Sequence, residues 1–414
     1  MKIWLVNHYA TPPDSGSSTR HYALARELAK YGHEVLVIVA NKHHLLHHPE
    51  NISRSRSKRS ISIEKDSHVD FLFLPTLNYH GNGVSRLLNM ISFAWQTLKL
   101  PQYVDDIPDI IIGSSVHPFA VWAAERIAKR YKIPFCFEVR DLWSQTLIDM
   151  AVISSYHPLA LFLRWLESYL YRRADKIITL LPYAHECICR FNVQREKIFY
   201  LPNAVDLNFF LSAPLVYDSQ KTFTVMYLGS HGPANDLKTL IEAAAELEKC
   251  YPLCPIRWRL IGEGPQKQYL KDYARKLDIK SVTLEQSIPK SQVPQVIAEA
   301  DVLIFHLLKI DVFRYGISPN KLFDYLAAQK PIVFACSARN DPVAEAGAGI
   351  TVPPQDPKAM AEAVYQLAIL SPEERVEMGK RGRAYVERYH SYQHLGEQLN
   401  ELLEEVVEEF RTVK

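Results

Sequence analysis

The sequence predicts an α/β protein built from two doubly wound parallel sheets in tandem. Three observations predict it. Short apolar segments alternate with helix-period segments from residue 2 to residue 180, the alternation lapses over 203–222, and it restarts at residue 224. Strand and helix taking turns implies parallel strands with helices over both faces, because a crossover between parallel strands needs a helix-length connection. A chain of 414 residues suits two domains of about 200 residues each.

In order, 2–6 reads as a buried strand, and 21–31 as a helix with Tyr22, Leu24, Ala25, Leu28 and Ala29 in period, ending at Gly32 before a strand over 35–40. A strand over 109–112, a helix over 119–131, a strand over 135–139, a helix over 159–173 and a strand over 176–180 follow. The second unit reads as strands over 224–228, 257–261, 282–284, 302–305 and 332–335, with helices over 237–247, 293–300 and 319–328. Near the end, Leu395, Leu399, Leu402, Leu403, Val406, Val407 and Phe410 form one apolar stripe, so the last helix must dock on something. The expected division is 1–205, a linker over 206–222, a second domain over 223–390, and a terminal helix over 391–414 returning toward the first domain.

Composition narrows the class. With 48% hydrophobic, 11% aromatic and 23% charged residues, a collagen-like, coiled-coil or low-complexity protein is excluded. The six cysteines include no CxxC pair, so neither a disulfide framework nor a zinc knuckle is expected, and a reducing cytosol fits. Residues 3–6 are too short a run for a signal-peptide core, and the longest uncharged stretches, 87–98 and 150–163, are too short to span a bilayer. A net charge of +2 argues against a nucleic-acid partner. The charge is uneven, with 24 Lys and Arg against 18 Asp and Glu over 1–200 and 24 against 28 over 201–414, which places an anion-attracting surface on the first half.

Tandem sheets of this kind are expected to face a cleft with the carboxyl ends of their strands, where a nucleotide is the default ligand. The segment Tyr315-Gly316-Ile317-Ser318-Pro319-Asn320-Lys321 carries the strongest signal. Ser318 can cap a helix and Pro319 can occupy its first position, so free N–H groups open beside Lys321 as a diphosphate site. Asp324 lies on the same face and can accept from ribose hydroxyls; alternatively, Lys321 and Asp324 form an ordinary surface ion pair. Gly262-Glu263-Gly264-Pro265 with Lys267, and Gly229-Ser230-His231-Gly232, are further turns at strand ends where backbone can approach a ligand. Ile288 is grouped with them on the donor side.

These residues resemble a family. Ala174 to Thr179, Lys197-Ile198 through Leu201-Pro202-Asn203-Ala204-Val205-Asp206, Gly262 to Pro265, Ala300-Asp301-Val302 and Ser318 to Pro331 occur in the order and spacing of the retaining glycosyltransferases of family 4, which have the GT-B fold. Ser114-Ser115-Val116-His117-Pro118-Phe119, Glu138 to Trp143 and Tyr79 to Gly83 resemble, more narrowly, the transferases that add N-acetylated deoxysugars such as N-acetylfucosamine in bacterial O-antigen and capsule assembly. The chain also departs from the family. Of its two glutamates eight positions apart, the second matches Asp324, but the first falls on Gly316, and the arginine and lysine after the first strand of the second domain are replaced by Ser230-His231-Gly232.

The resemblance implies an acceptor-binding first domain and a donor-binding second domain. The implied reaction is transfer, with retention, from a nucleotide sugar, most simply UDP-linked, to a polyprenyl-diphosphate-linked saccharide. It implies no cofactor and no metal, and peripheral contact with the inner face of the cytoplasmic membrane. Lys267 and Lys321 would carry the diphosphate charge. In the first domain, Gly16 and Ser17 would face the donor phosphates, although Ser17 or Ser18 could equally be a plain helix cap. His117 would orient the acceptor hydroxyl unless it is structural, and Arg140 and Asp141 would share that edge unless they merely pair, with Asp141 the favoured functional member. His43, His44, His47 and His48 suggest a metal site but are better read as a polar loop. Arg54, Arg56, Lys58 and Arg59 form a basic run that, with the apolar residues of 87–95, could hold an anionic membrane surface. A non-hydrolysing UDP-sugar 2-epimerase and a degenerate nucleotide-sugar-binding scaffold are the alternative functions.

Overall fold

The computed structural model describes residues 1–12, 19–46, 69–79, 81, 83–150, 152–210 and 222–412, with the backbone alone at 62–65. Gly16, Ser17, His47, His48, Arg54, Arg56, Lys58 and Arg59 lie outside the described residues. The chain divides into two compact units: residues 1–202 with 392–414, and residues 203–391.

Among the described residues unit 1 holds eight strands: β1 (Lys2–Val6), β2 (Glu34–Ala40), β3 (Ser62–Lys65), β4 (Asp70–Leu74), β5 (Ile110–Ser114), β6 (Phe135–Val139), β7 (Lys176–Thr179) and β8 (Ile198–Tyr200). Their order is β3-β4-β2-β1-β5-β6-β7-β8, parallel throughout except for β3, which runs antiparallel to β4. Central β1 pairs with β2 on one side and β5 on the other, with Ile3 opposite both Val35 and Ile110. All five residues of β5 and of β6 are buried, which is why these segments read as continuous apolar runs without alternation.

Unit 2 repeats the plan with six strands: β9 (Phe223–Leu228), β10 (Ile256–Ile261), β11 (Val282–Glu285), β12 (Val302–His306), β13 (Ile332–Ala335) and β14 (Gly349–Val352). They lie in the order β11-β10-β9-β12-β13-β14, and every pair is parallel. One core packs Tyr227, Trp258 and Ile304 under the helices Leu237–Cys250 and Pro357–Ile369; the other packs Met226, Phe305 and Phe334 under Asn320–Ala327. Two covered faces make each unit a three-layer doubly wound sheet.

The terminal helix Tyr392–Thr412 belongs to unit 1, packed against the helix Arg20–Lys30. Gly396 permits the close crossing, since a Cβ there would stand 2.4 Å from Cβ of Glu27. Buried Leu395, Leu399, Leu403 and Val406 supply the apolar side of the contact, and Asn400 Oδ1 lies 2.5 Å from His33 Nε2.

Several elements escaped the sequence reading. β4 carries the run Phe71-Leu72-Phe73-Leu74, fully buried, and the helix Val84–Thr97 covers residues read as an uncharged, apolar stretch with no helix assigned to them. Beyond β13, β14 and the helices Pro357–Ile369 and Pro372–Tyr389 were passed over, although both helices carry explicit start signals. Asp356 and Ser371 cap them with side-chain oxygens, and a proline follows each cap.

Candidate active site

The carboxyl end of β9 and the start of the helix Asn320–Ala327 build the centre of the unit 2 site. Tyr325 pins the two together: its hydroxyl accepts from Leu228 N at 2.7 Å and donates to Leu228 O at 2.9 Å. One turn earlier on the helix, Lys321 Nζ donates to Tyr227 Oη at 3.2 Å and to Asn235 Oδ1 at 2.5 Å. The ammonium also lies 4.7 Å from the centre of the Tyr227 ring and 4.9 Å from that of Phe305. Its acceptors are themselves held. Tyr227 Oη and Asn235 Nδ2 both donate to Ser230 O, and His306 Nδ1 reaches Asn235 O while its Nε2 accepts from Gln355 N.

No carboxylate pairs with Lys321 among the described residues, so the expected alternative of a Lys321–Asp324 ion pair does not hold. Burial pushes the Lys321 amine down to about 7. A cation desolvated without a counter-ion is costly, and an anionic ligand would relieve that cost. The helix beside it has no acidic residue in its first turn and no side-chain cap, so its N–H groups add a favourable dipole for the same anion. Asn320 is exposed at that end. Asp324 is half-buried, makes no described side-chain hydrogen bond, and is raised by burial to about 6.

The cap itself differs from expectation. Pro319, with φ −80° and ψ 131°, occupies the N-cap position, and Ser318 does not cap. Ser318 Oγ instead accepts from Asn203 N at 2.8 Å, and Ser318 O accepts from Asn203 Nδ2 at 2.5 Å.

The two glycine turns interlock. A Cβ at Gly262 would stand 1.8 Å from Gly229 O, and one at Gly264 would stand 2.6 Å from His231 backbone atoms, so neither position accepts a side chain. His231 N donates to Glu263 O, and Gln266 N to His231 O. His231 is buried, neither ring nitrogen has a hydrogen-bond partner among the described residues, and burial together with Lys267 lowers it to about 4. Gly229 borders the lysine site, since a Cβ there would lie 3.5 Å from Lys321 Cδ. Ser230 is exposed, and half-buried Ile288 packs on the core beneath.

Lys267 requires a correction. Its three ammonium protons are all used by the protein: on Gly262 O at 3.0 Å, Glu285 O at 2.8 Å and Glu263 Oε1 at 2.5 Å. It clamps the turn after β10 to the end of β11 and has no donor left for a phosphate.

Gly316 has φ 89° and ψ 177°, a conformation closed to ordinary side chains. The carboxylate absent from the sequence is therefore matched by a backbone that would not accommodate it.

In unit 1, the carboxyl ends of β1, β5 and β6 gather a buried polar cluster around Glu138. Arg20 Nε donates to Glu138 Oε1 at 3.1 Å, while His21 Nε2 and Ser114 Oγ lie 2.7 and 2.5 Å from Oε2. Burial alone would raise this carboxyl, but His21 and Arg20 hold it well below the usual range. Arg20 continues to Pro202 O and Leu201 O, at 2.5 and 3.0 Å. Glu138 was visible only as part of a motif, because nothing in a strand residue's sequence shows which charges will converge on it.

His117 is fully buried and caps the helix Pro118–Tyr131, with Nδ1 accepting from Ala120 N at 3.2 Å. That bond leaves its proton on Nε2, 2.8 Å from His8 Nδ1. Burial lowers His117 to about 3, so it is neutral, and both its nitrogens are engaged within the protein. This geometry gives His117 a structural role and no face toward an acceptor hydroxyl, contrary to expectation. Arg140 and Asp141 do not pair: Arg140 is half-buried with its backbone N–H on Ser115 Oγ, and Asp141 is exposed. Among the described residues no group of His, Cys, Asp and Glu is arranged to hold a metal ion. His43 packs on the His8 and Tyr9 rings, and His44 Nδ1 lies 2.8 Å from Tyr79 Oη.

Comparison with known proteins places the two units in families. Residues 15–204 match the family described as glycosyl transferase 4-like domain, and residues 222–369 match glycosyl transferases group 1. No curated protein matches the sequence. Among solved structures, sucrose-phosphate synthase from Thermosynechococcus elongatus superposes with a TM-score of 0.72 at 16% identity, covering 98% of both chains. Anabaena HepE in complex with UDP-glucose gives 0.67 at 15%, covering 98% of this chain and 100% of its own. An E. coli trehalose-6-phosphate protein bound with UDP-2-fluoro glucose gives 0.70 at 12%, covering 98% and 99%. At these identities the likeness concerns the fold.

Proposed function

We propose, from the premise that this chain belongs to the GT-B glycosyltransferases, that unit 2 binds a UDP-sugar with its diphosphate on Lys321 and the N-terminus of Asn320–Ala327. The observation that carries this reading is a largely buried ammonium with no carboxylate partner among the described residues, depressed to about 7. As the bond from sugar to phosphate breaks, negative charge grows on the departing diphosphate. Lys321 and the helix dipole stabilise that charge in a desolvated site, a task that requires no metal ion. Asp324, which makes no side-chain hydrogen bond among the described residues, is assigned to the ribose hydroxyls. Gly316 leaves the donor-sugar side without a carboxylate, which suits an apolar or deoxygenated edge of the sugar.

The proposed reaction is retaining transfer of a sugar, in the narrower reading an N-acetylated deoxyhexose, to a saccharide on a polyprenyl diphosphate during cell-surface polysaccharide synthesis. Unit 1 takes the acceptor at the carboxyl edge that carries Asp141 and Arg140. The enzyme works at the inner face of the cytoplasmic membrane without a cofactor. Incubation with UDP-sugars and a lipid-linked acceptor, with and without chelator, tests this. Transfer that persists in EDTA and falls in Lys321→Ala is expected. Epimer formation, or binding without turnover, would overturn it.

A further inference from the structure

On the helix Val84–Thr97 every exposed position is apolar: Val84, Leu87, Leu88, Ile91 and Trp95. The spacing places all five on one helical face, the face that a solvated helix gives to polar residues. The first two turns of the helix Pro158–Arg173 repeat the pattern, with Leu161, Phe162 and Trp165 outward and Trp165 60% exposed. Both helices flank Pro118–Tyr131, whose Phe119 ring stacks on Phe162 at 6.5 Å. Two apolar faces thus lie side by side on one flank of unit 1, a concentration of exposed apolar side chains of the kind that marks an interaction surface.

Charge selects the partner. The three helices carry seven Arg and Lys and only two acidic residues, Glu125 and Glu167, both buried. Arg172 and Arg173 are exposed beyond the Trp165 turn, and Lys99 lies 5.7 Å over the Trp95 ring at the other patch. Outward tryptophans with basic neighbours, on three helices without an exposed acid, suit the interface of an anionic bilayer, where the rings enter the headgroup layer and the cations meet phosphate.

We propose that these two helices form a monotopic membrane-docking face specific for anionic lipid. The proposal rests on the lipid-linked acceptor of the preceding reading and gives it a place. All three helices are crossovers that begin at the carboxyl ends of the strands, as Arg86 shows by reaching Tyr9 Oη just after β1. The docking face therefore borders the edge where unit 1 would take the acceptor headgroup.

Co-sedimentation with phosphatidylglycerol-rich and pure phosphatidylcholine vesicles, followed also by tryptophan emission, tests the face. The parent protein should bind the anionic vesicles with a blue shift, bind the neutral ones at least tenfold more weakly, and release at high salt. Leu88→Glu with Trp165→Glu, both at exposed positions, should lower anionic-vesicle binding at least tenfold while UDP affinity stays unchanged. Absence of binding by the parent at low salt, or equal binding by the variant, would overturn the proposal. So would a parent dimer that the variant dissociates, since a second copy would then cover the face. Loss of UDP binding with vesicle binding intact would count against the nucleotide site alone.

Discussion

Asn203 holds Ser318 by two bonds, from its backbone N–H to the hydroxyl and from its side-chain amide to the carbonyl. The first residue of unit 2 is thereby fastened to the residue preceding Pro319, at the helix end assigned to the diphosphate. His390 reinforces the anchor, with Nδ1 3.2 Å from Asn203 O and its own carbonyl accepting from Val205 N. Asn203→Ala removes only the side-chain bond and leaves Ser318 O unpaired, a loss of about 1–2 kcal/mol. The expected outcome is a lowered Tm and a several-fold higher KM for donor with a smaller change in kcat. An unchanged donor KM would show that the anchor does not position the loop.

Lys321 and Lys267 should respond differently to the same replacement. Lys321→Met removes a charge-assisted contact to the diphosphate and should weaken UDP binding about ten- to a hundredfold. It should also stabilise or spare the fold, since the buried charge has no ionic partner to lose. Lys267→Met breaks three internal bonds and takes the lysine donor from the carbonyls of Gly262 and Glu285, of which Glu285 O keeps the backbone N–H of Gly262, so its main effect should be a lower Tm. Calorimetric UDP titration alongside thermal unfolding separates the two; a reversed pattern would reassign the phosphate ligand.

The depressed Lys321 amine also sets a pH dependence. Near pH 7 the free site is only partly protonated, and a bound diphosphate raises the amine's pKa, so binding takes up a proton. UDP affinity should fall as pH rises above about 7, and the heat of binding should vary with the ionisation enthalpy of the buffer. Lys321→Met should remove the share of that proton uptake that belongs to the amine.

Restoring the family's carboxylate by Gly316→Glu should not improve turnover. At φ 89° and ψ 177° a glutamate would be strained by about 1–3 kcal/mol. The variant should unfold at lower temperature, with the loop between Phe313 and Ile317 displaced and donor binding weakened. Higher activity with unchanged stability would show that the backbone tolerates a side chain at this position.

The layered fold was legible because buried parallel strands and their crossover helices leave two separable periods in the sequence. The helix start beside Lys321 was legible too, since a proline stands directly before it, although the serine read as its cap does not cap. What the sequence could not show is how each polar atom is spent. Lys267 follows a glycine turn just as a phosphate ligand would, yet two of its protons stay on that turn, at Gly262 and Glu263, and the third goes to the Glu285 carbonyl brought over by β11 from eighteen residues away. Ser318 looks like a cap until Asn203 is folded against it, and His117 looks accessible until His8 arrives from β1. Each of these outcomes depends on a partner distant in sequence, which local pattern does not encode.

Glu167 supplies a stability prediction outside the donor site. It is buried on the helix Pro158–Arg173, where Ser144 Oγ donates to its Oε2 at 2.5 Å and Ser144 N lies 3.4 Å from Oε1. Burial raises its carboxyl to about 7, although the Ser144 bonds oppose the shift. The unfolded chain ionises near 4.5, so between these values the native state holds the extra proton. Stability from this group is then fully present below the unfolded pKa and declines as pH rises toward 7, by up to about 3 kcal/mol. Glu167→Gln keeps an oxygen for Ser144 and never ionises. Relative to the parent, the variant should gain stability progressively from pH 5 to pH 8, by about 1–3 kcal/mol at the upper end. Parallel urea unfolding of both proteins across that range measures the difference directly, and a difference that stays flat with pH would show that Glu167 ionises in the native protein as it does in the unfolded chain.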